Sequence, residues 1–168
     1  MRKILFPVDL SSPSVQIVPK VLEMAEKLDA EIHLLAVAEP LGQYAAFHVP
    51  HPSLGVLKND MAKGTMRKLE DFQMEHLPDY TELKLAIRVG EPAEQILDYI
   101  RSSGIDMVMM ATQSLKGLSK VLFGSVAEKV VKNSPVPVMT ASRGEGAPKW
   151  EMTGTPAQNL AVGLAEKN

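Results

Sequence analysis

Two uninterrupted apolar runs constrain this chain most: Ile4-Leu5-Phe6-Pro7-Val8 near the start, and Met107-Val108-Met109-Met110-Ala111 much later. A strand with one wet face alternates apolar and polar residues, whereas a strand covered on both faces does not. Lys3 to Val8 and Met107 to Ala111 are therefore predicted as central strands of a sheet with helices on both sides. The methionines belong to that core, because thioethers fill irregular gaps well.

The segments between them supply the helices. Ser11 and Ser12 followed by Pro13 form a helix start, and Val18, Val21, Leu22, Ala25 and Leu28 give its buried stripe. Asp29-Ala30 turns the chain, and Glu31 to Ala38 is a second strand. Glu39 to Leu54 is irregular and rich in proline, and is long for a connection in a compact domain. A second helix is expected from about Val56 to His76, with Met61, Thr65, Leu69 and Phe72 inward. Leu83 to Val89 alternates with Lys84, Ala86 and Arg88, which predicts a strand near an edge. Pro92 starts a third helix carrying Ala93, Ile96, Leu97 and Ile100, closed by Gly104. Gly124-Ser125 opens a fourth, with Val126, Ala127, Val130 and Val131 inward and Lys129 and Lys132 near its end. Val136 to Thr140 is the last strand; Pro135 and Pro137 predict that it lies at an edge.

Strand and helix alternate throughout, which implies an α/β fold: a single doubly wound domain with a five-stranded parallel sheet and helices on both faces. Residues 1–141 form that domain. Residues 142–168 change in character, with Gly144, Gly146, Pro148, Gly154 and Pro156, and are expected to be a flexible or partner-packed tail. A short helix over about Ala157 to Glu166 would place Leu160 and Leu164 on one face.

Composition excludes more than it assigns. The 168 residues carry a net charge of −2, no reason to expect nucleic acid or an anionic membrane as partner. There is no cysteine, hence no disulfide frame or thiol nucleophile. Pro7 and Asp9 interrupt the N-terminal apolar run too early for a signal peptide, and no run could span a bilayer. A cytoplasmic protein is expected.

In a doubly wound sheet, ligands bind beyond the C-terminal ends of the strands. Asp9 follows the first strand there, and Gly124-Ser125 opens a helix whose free N–H groups suit an anion. The same residues also have plainer roles: Asp9 as a turn residue, Gly124-Ser125 as a cap, and Gly90 as a turn glycine. His48 and His51 lie in a Pro-rich segment with no supporting ligand pattern, so no metal site is assigned. Ser11, Ser12 and Ser14 near Asp9 lack a nucleophile elbow. There is no Walker A motif and no G-x-G-x-x-G.

Three separated motifs, Ile4-Leu5-Phe6-Pro7-Val8-Asp9 with Ser11, Val89-Gly90-Glu91-Pro92-Ala93, and Pro135-Val136-Pro137-Val138, resemble the universal stress protein family over about Met1 to Ala141. Nucleotide-binding members carry Gly, two residues, Gly, nine residues, Gly, then Ser or Thr. That frame falls here on Ala111, Ser114, Gly124 and Ser125. Two glycines are replaced. Ala111 adds one methyl; Ser114 narrows the approach of backbone to phosphate, although its hydroxyl can donate a hydrogen bond.

The resemblance implies the strand order 3-2-1-4-5, which brings Asp9 and the 111–125 loop together. It implies Asp9 at the nucleoside, Val37 near the adenine through its backbone, and Gly90 beside the sugar–phosphate. Ala111, Ser114, Gly124 and Ser125 would line the phosphates. It also implies ATP or another adenine nucleotide as ligand, with Mg or Mn on the phosphates, and a homodimer through Val136, Val138 and Met139. The expected function is a stress-response regulatory protein with little or no hydrolysis. The alternative is a nucleotide-independent dimeric interaction protein on the same fold, and the two replaced glycines favour it.

Overall fold

The apolar runs become adjacent strands in the middle of a sheet. The computed structural model describes residues 1–39, 51–112, 124–142 and 149–153. In chain order the elements are β1 (Arg2–Val8), α1 (Ser12–Leu28), β2 (Ala30–Ala38), α2 (His51–His76), β3 (Leu83–Val89), α3 (Pro92–Ser103), β4 (Met107–Thr112), α4 (Ser125–Asn133), β5 (Val138–Ser142) and β6 (Lys149–Thr153). They form one sheet in the order β3-β2-β1-β4-β5-β6. The first five strands are parallel, as expected; β6 is antiparallel to β5.

Successive residues of a strand face opposite sides, so a strand buried on both sides must be apolar throughout. In β1, Ile4, Phe6 and Val8 pack with Val18, Val21 and Ala25 of α1 and Leu69 and Phe72 of α2. Leu5, between them, packs on the other face with Ile96, Tyr99 and Ile100 of α3 and Val130 of α4. Helices α1 and α2 thus cover one face, and α3 and α4 the other. β1 and β4 are neighbours whose following helices leave to opposite faces, the condition for a crevice at their C-terminal ends.

That crevice is opened by proline. β1 pairs with β2 along its whole length, from Arg2 opposite Ala30 to Val8 opposite Ala36. With β4 the register runs only through Ile4–Met107 and Leu5–Val108. The Lys3 carbonyl accepts from Asp106 N, so Lys3, Leu5 and Pro7 direct their backbone groups towards β4. Pro7 has no N–H to give. The ladder stops where its donor is missing, and the strands part.

Two boundaries differ from expectation. Helix α2 begins at His51 rather than near Val56, because Pro52, as its second residue, suits a first turn whose N–H groups have no helical partner. β5 begins at Val138, not Val136, and it is not an edge: β6 pairs with it from Val138–Thr153 to Ser142–Lys149. Pro135 and Pro137 precede β5 and so place no restriction on its outer side. The helix expected over 157–166 lies outside the described residues. No described helix is long and apolar enough to cross a membrane.

Candidate functional site

A cavity of about 340 Å³ opens where β1 and β4 part. Its floor is apolar: Val8 from β1, Leu35 and Val37 from β2, and Met110 and Ala111 from β4. Pro92 and Ile96 of α3 close one side, and Gly124, Ser125, Val126 and Ala127 of α4 another. Asp9, Ser14 and Glu39 bring polarity to the rim. The volume is within the usual range for small-molecule sites.

Asp9 is held in place by the start of α1. Its Oδ1 accepts from Ser11 N at 3.0 Å, from Ser14 Oγ at 2.7 Å, and from Ser11 Oγ. Ser11 is the N-cap of α1 but makes no side-chain cap bond, since its hydroxyl is committed to Asp9. Partial burial raises the carboxyl pKa, but the bonds from Ser11 and Ser14 outweigh it and hold the group below the ordinary aspartate value. Asp9 is therefore an anion whose Oδ1 is saturated, leaving Oδ2 as the acceptor for a ligand. Leu10 follows with φ 60°, a left-handed conformation that a leucine adopts only under constraint. The turn fixes the carboxylate at the cavity mouth.

Across the crevice, Gly124 is the N-cap of α4, with no side-chain cap bond. The first-turn N–H groups of a helix have no partner inside it, and the helix dipole adds partial positive charge at that end. Gly124 has φ −60°, so no positive φ demands glycine there. Among the described residues, a Cβ added to it would meet nothing within 4 Å.

Asp9, Val37, Ala111, Gly124 and Ser125 thus surround one cavity. Gly90 is not on its wall. It has φ 152°, and its N–H donates to Ala38 O at 3.0 Å, which ties the end of β3 to the end of β2. A Cβ there would come within 2.9 Å of Gln95 Nε2. Ser114 lies outside the described residues. Ser14, Glu39, Pro92, Ile96 and Thr112 also line the cavity and escaped the sequence reading. Ser14 carried one signal: a hydroxyl in the first helical turn, five residues after a strand-end carboxylate. Among the described residues no three His, Cys, Asp or Glu side chains cluster as metal ligands.

Comparison with known proteins agrees with this architecture. Residues 1–142 match the Universal stress protein family. Universal stress protein YxiE of Bacillus subtilis is 24% identical over 143 residues, covering 82% of this chain and 97% of the relative. The solved structure of MJ0577, a universal stress protein of Methanocaldococcus jannaschii, superposes with a TM-score of 0.67 at 29% identity. That superposition covers 86% of this chain and 98% of the other. An Arabidopsis thaliana family protein solved with AMP bound gives a TM-score of 0.60 at 18% identity, covering 86% and 94% of the two chains; it speaks for the fold. With motifs, strand order and family match in agreement along the same residues, the chain belongs to the universal stress protein family.

Proposed function

We propose that the crevice binds an adenine nucleotide, and that the protein acts in stress regulation through the bound state rather than through turnover. The observation that carries this is the polarity of the cavity. A fixed carboxylate, Asp9, stands on one side and the N-terminus of α4 on the other, with an apolar floor between them. A nucleoside has the matching polarity. Its base suits the floor of Leu35, Val37 and Met110; a ribose hydroxyl can donate to Asp9 Oδ2; its phosphates suit the first-turn N–H groups of α4. Asp9 would repel a phosphate, which assigns the sugar to that side. The fold neighbour solved with AMP supports the same ligand class.

Weak hydrolysis follows from the same residues. A general base works best with a pKa near the operating pH, and Asp9 is held below the usual carboxylate value. The cavity lining includes Asp9 and Glu39 and no Lys or Arg among the described residues. That charge balance suits a nucleotide arriving with its divalent cation, Mg or Mn, on the phosphates. Affinity is accordingly modest, on the order of micromolar or weaker.

Titration calorimetry with ATP and AMP tests the reading on wild type and Gly124→Asp. Wild type is expected to bind, and the aspartate to abolish binding by meeting the phosphates. Wild-type silence at millimolar nucleotide overturns the reading. The nucleotide-independent interaction protein then stands, the reading that the replacement of glycine by Ala111 and Ser114 favours.

A further inference from the structure

The cavity floor is laid out strand by strand. Leu35 and Val37 of β2 make one end, Val8 of β1 with Asp9 the middle, and Met110 and Ala111 of β4 the other end. Above it, α3 packs over β2 and β3, and α4 over β4 and β5. β2 is therefore the strand of the floor farthest from the first turn of α4. Alternate residues of a strand share a side, and Leu35 and Val37 both pack with the cluster that holds Ala93 and Ile96 of α3. Glu39, the first residue past β2, continues that side and joins Pro92 and Ile96 on the cavity wall. Its situation differs from that of Asp9, whose Oδ1 is taken up by Ser11 and Ser14. Glu39 is exposed, and among the described residues its carboxylate has no hydrogen bond or ion pair.

We propose that Glu39 sets the base specificity of the site, accepting from the exocyclic amine of adenine and rejecting a purine with a carbonyl in its place. This rests on the nucleotide reading given above. With the phosphates at α4 and the sugar at Asp9, the base falls over β2, the strand that Glu39 ends. A carboxylate accepts hydrogen bonds and donates none. It therefore attracts an amine and repels the lone pairs of a carbonyl oxygen. The apolar neighbours Leu35, Val37 and Ile96 do not make that distinction, because adenine and hypoxanthine have nearly the same shape. Glu39 has no partner among the described residues to give up when a ligand arrives, so the new bond is gained without breaking an old one.

The test is calorimetry of the full chain with AMP and with IMP, on wild type and Glu39→Gln. Wild type is expected to prefer AMP by about tenfold, as for a hydrogen bond to a charged group. Glutamine keeps the size of the side chain, but its amide can turn either an oxygen to the amine or an NH₂ to the carbonyl. The AMP-to-IMP ratio should therefore fall to near one in Glu39→Gln. Removing the negative charge also eases phosphate binding, by the same factor for both ligands, so the ratio is the readout and not either affinity alone. Equal binding of AMP and IMP by wild type overturns the proposal and leaves the nucleotide reading intact. So does a ratio that Glu39→Gln leaves unchanged, which would place the discrimination on the backbone. Silence of wild type towards both ligands at millimolar concentration overturns the nucleotide reading, and this proposal with it.

Discussion

At the scale of single residues, the hydrogen bonds around Asp9 make a testable unit. Ser14 is buried and donates to Oδ1 at 2.7 Å. Ser14→Ala should cost about 1 kcal/mol, the usual net worth of such a bond, and should raise the Asp9 pKa towards the ordinary value. Since the folded-state pKa is depressed, the stabilisation is present above the unfolded value and is lost as pH falls through the folded one. Urea titrations of the two proteins should therefore differ at neutral pH and converge in acid, with the Asp9 pKa followed by carboxyl NMR. His33 is a separate buried titratable group. Its Nδ1 lies 2.9 Å from Tyr99 Oη; its Nε2 is 3.1 Å from a Glu31 oxygen yet makes no well-aligned hydrogen bond. Burial lowers its pKa against the pull of Glu31. Stability should thus decline as pH drops below about 6.5, the unfolded histidine value, and His33→Gln should flatten that decline in urea titrations. A slope equal to wild type would show that His33 protonates as readily folded as unfolded.

At the scale of elements, α3 and α4 are joined through Glu91. Its carboxylate accepts from Glu94 N at 2.8 Å as the N-cap of α3, and from Lys129 Nζ of α4 at 2.9 Å. The backbone bond is the leading cause of its lowered pKa. Glu91→Ala should cost about 1 kcal/mol, as loss of an N-cap does, whereas Lys129→Ala should cost clearly less because the pair is exposed. Equal losses by chemical denaturation would give the ion pair the larger part. Elements also show what the sequence could reveal. The apolar runs of β1 and β4, the stripe of α1 and the Pro92 start were legible because each is a local pattern. Asp9 was legible because it ends such a run, and Val37 only through the family frame. β6 was not: Lys149-Trp150-Glu151-Met152-Thr153 is five residues in a Gly- and Pro-containing stretch, and it becomes a strand only by finding β5. Ser14, Ile96 and Thr112 face the cavity because separate elements converge there, and no window of sequence contains that convergence.

At the scale of the whole molecule, the sheet has a structural end and an end that carries the cavity. At the N-terminal ends of β1 and β4, Lys3 N donates to Asp106 Oδ2 at 2.8 Å, Asp106 N donates to Lys3 O at 2.9 Å, and Lys3 Nζ donates to Ser103 O at 3.0 Å. These bonds join residues about a hundred positions apart and touch nothing that lines the cavity. Asp106→Ala should lower stability by about 1 to 2 kcal/mol and leave nucleotide affinity unchanged by calorimetry. A parallel loss of affinity would mean that the two ends are coupled. At the cavity end, Pro7→Ala restores the missing donor. Its stability should stay within about 1 kcal/mol of wild type, since a gained bond offsets the lost stiffness of the unfolded chain. Its nucleotide affinity should fall as the strands zip further.

The place where β1 leaves β4 works as a gauge. Only alternate residues of β1, Lys3, Leu5 and Pro7, turn their backbone groups towards β4, so the fork can move only in steps of two residues, roughly 7 Å at a time. Depth in this crevice is consequently quantised, with fine adjustment left to the side chains on its walls. A descendant of this chain with a longer ligand would be expected to move its proline by two positions along the strand, not by one.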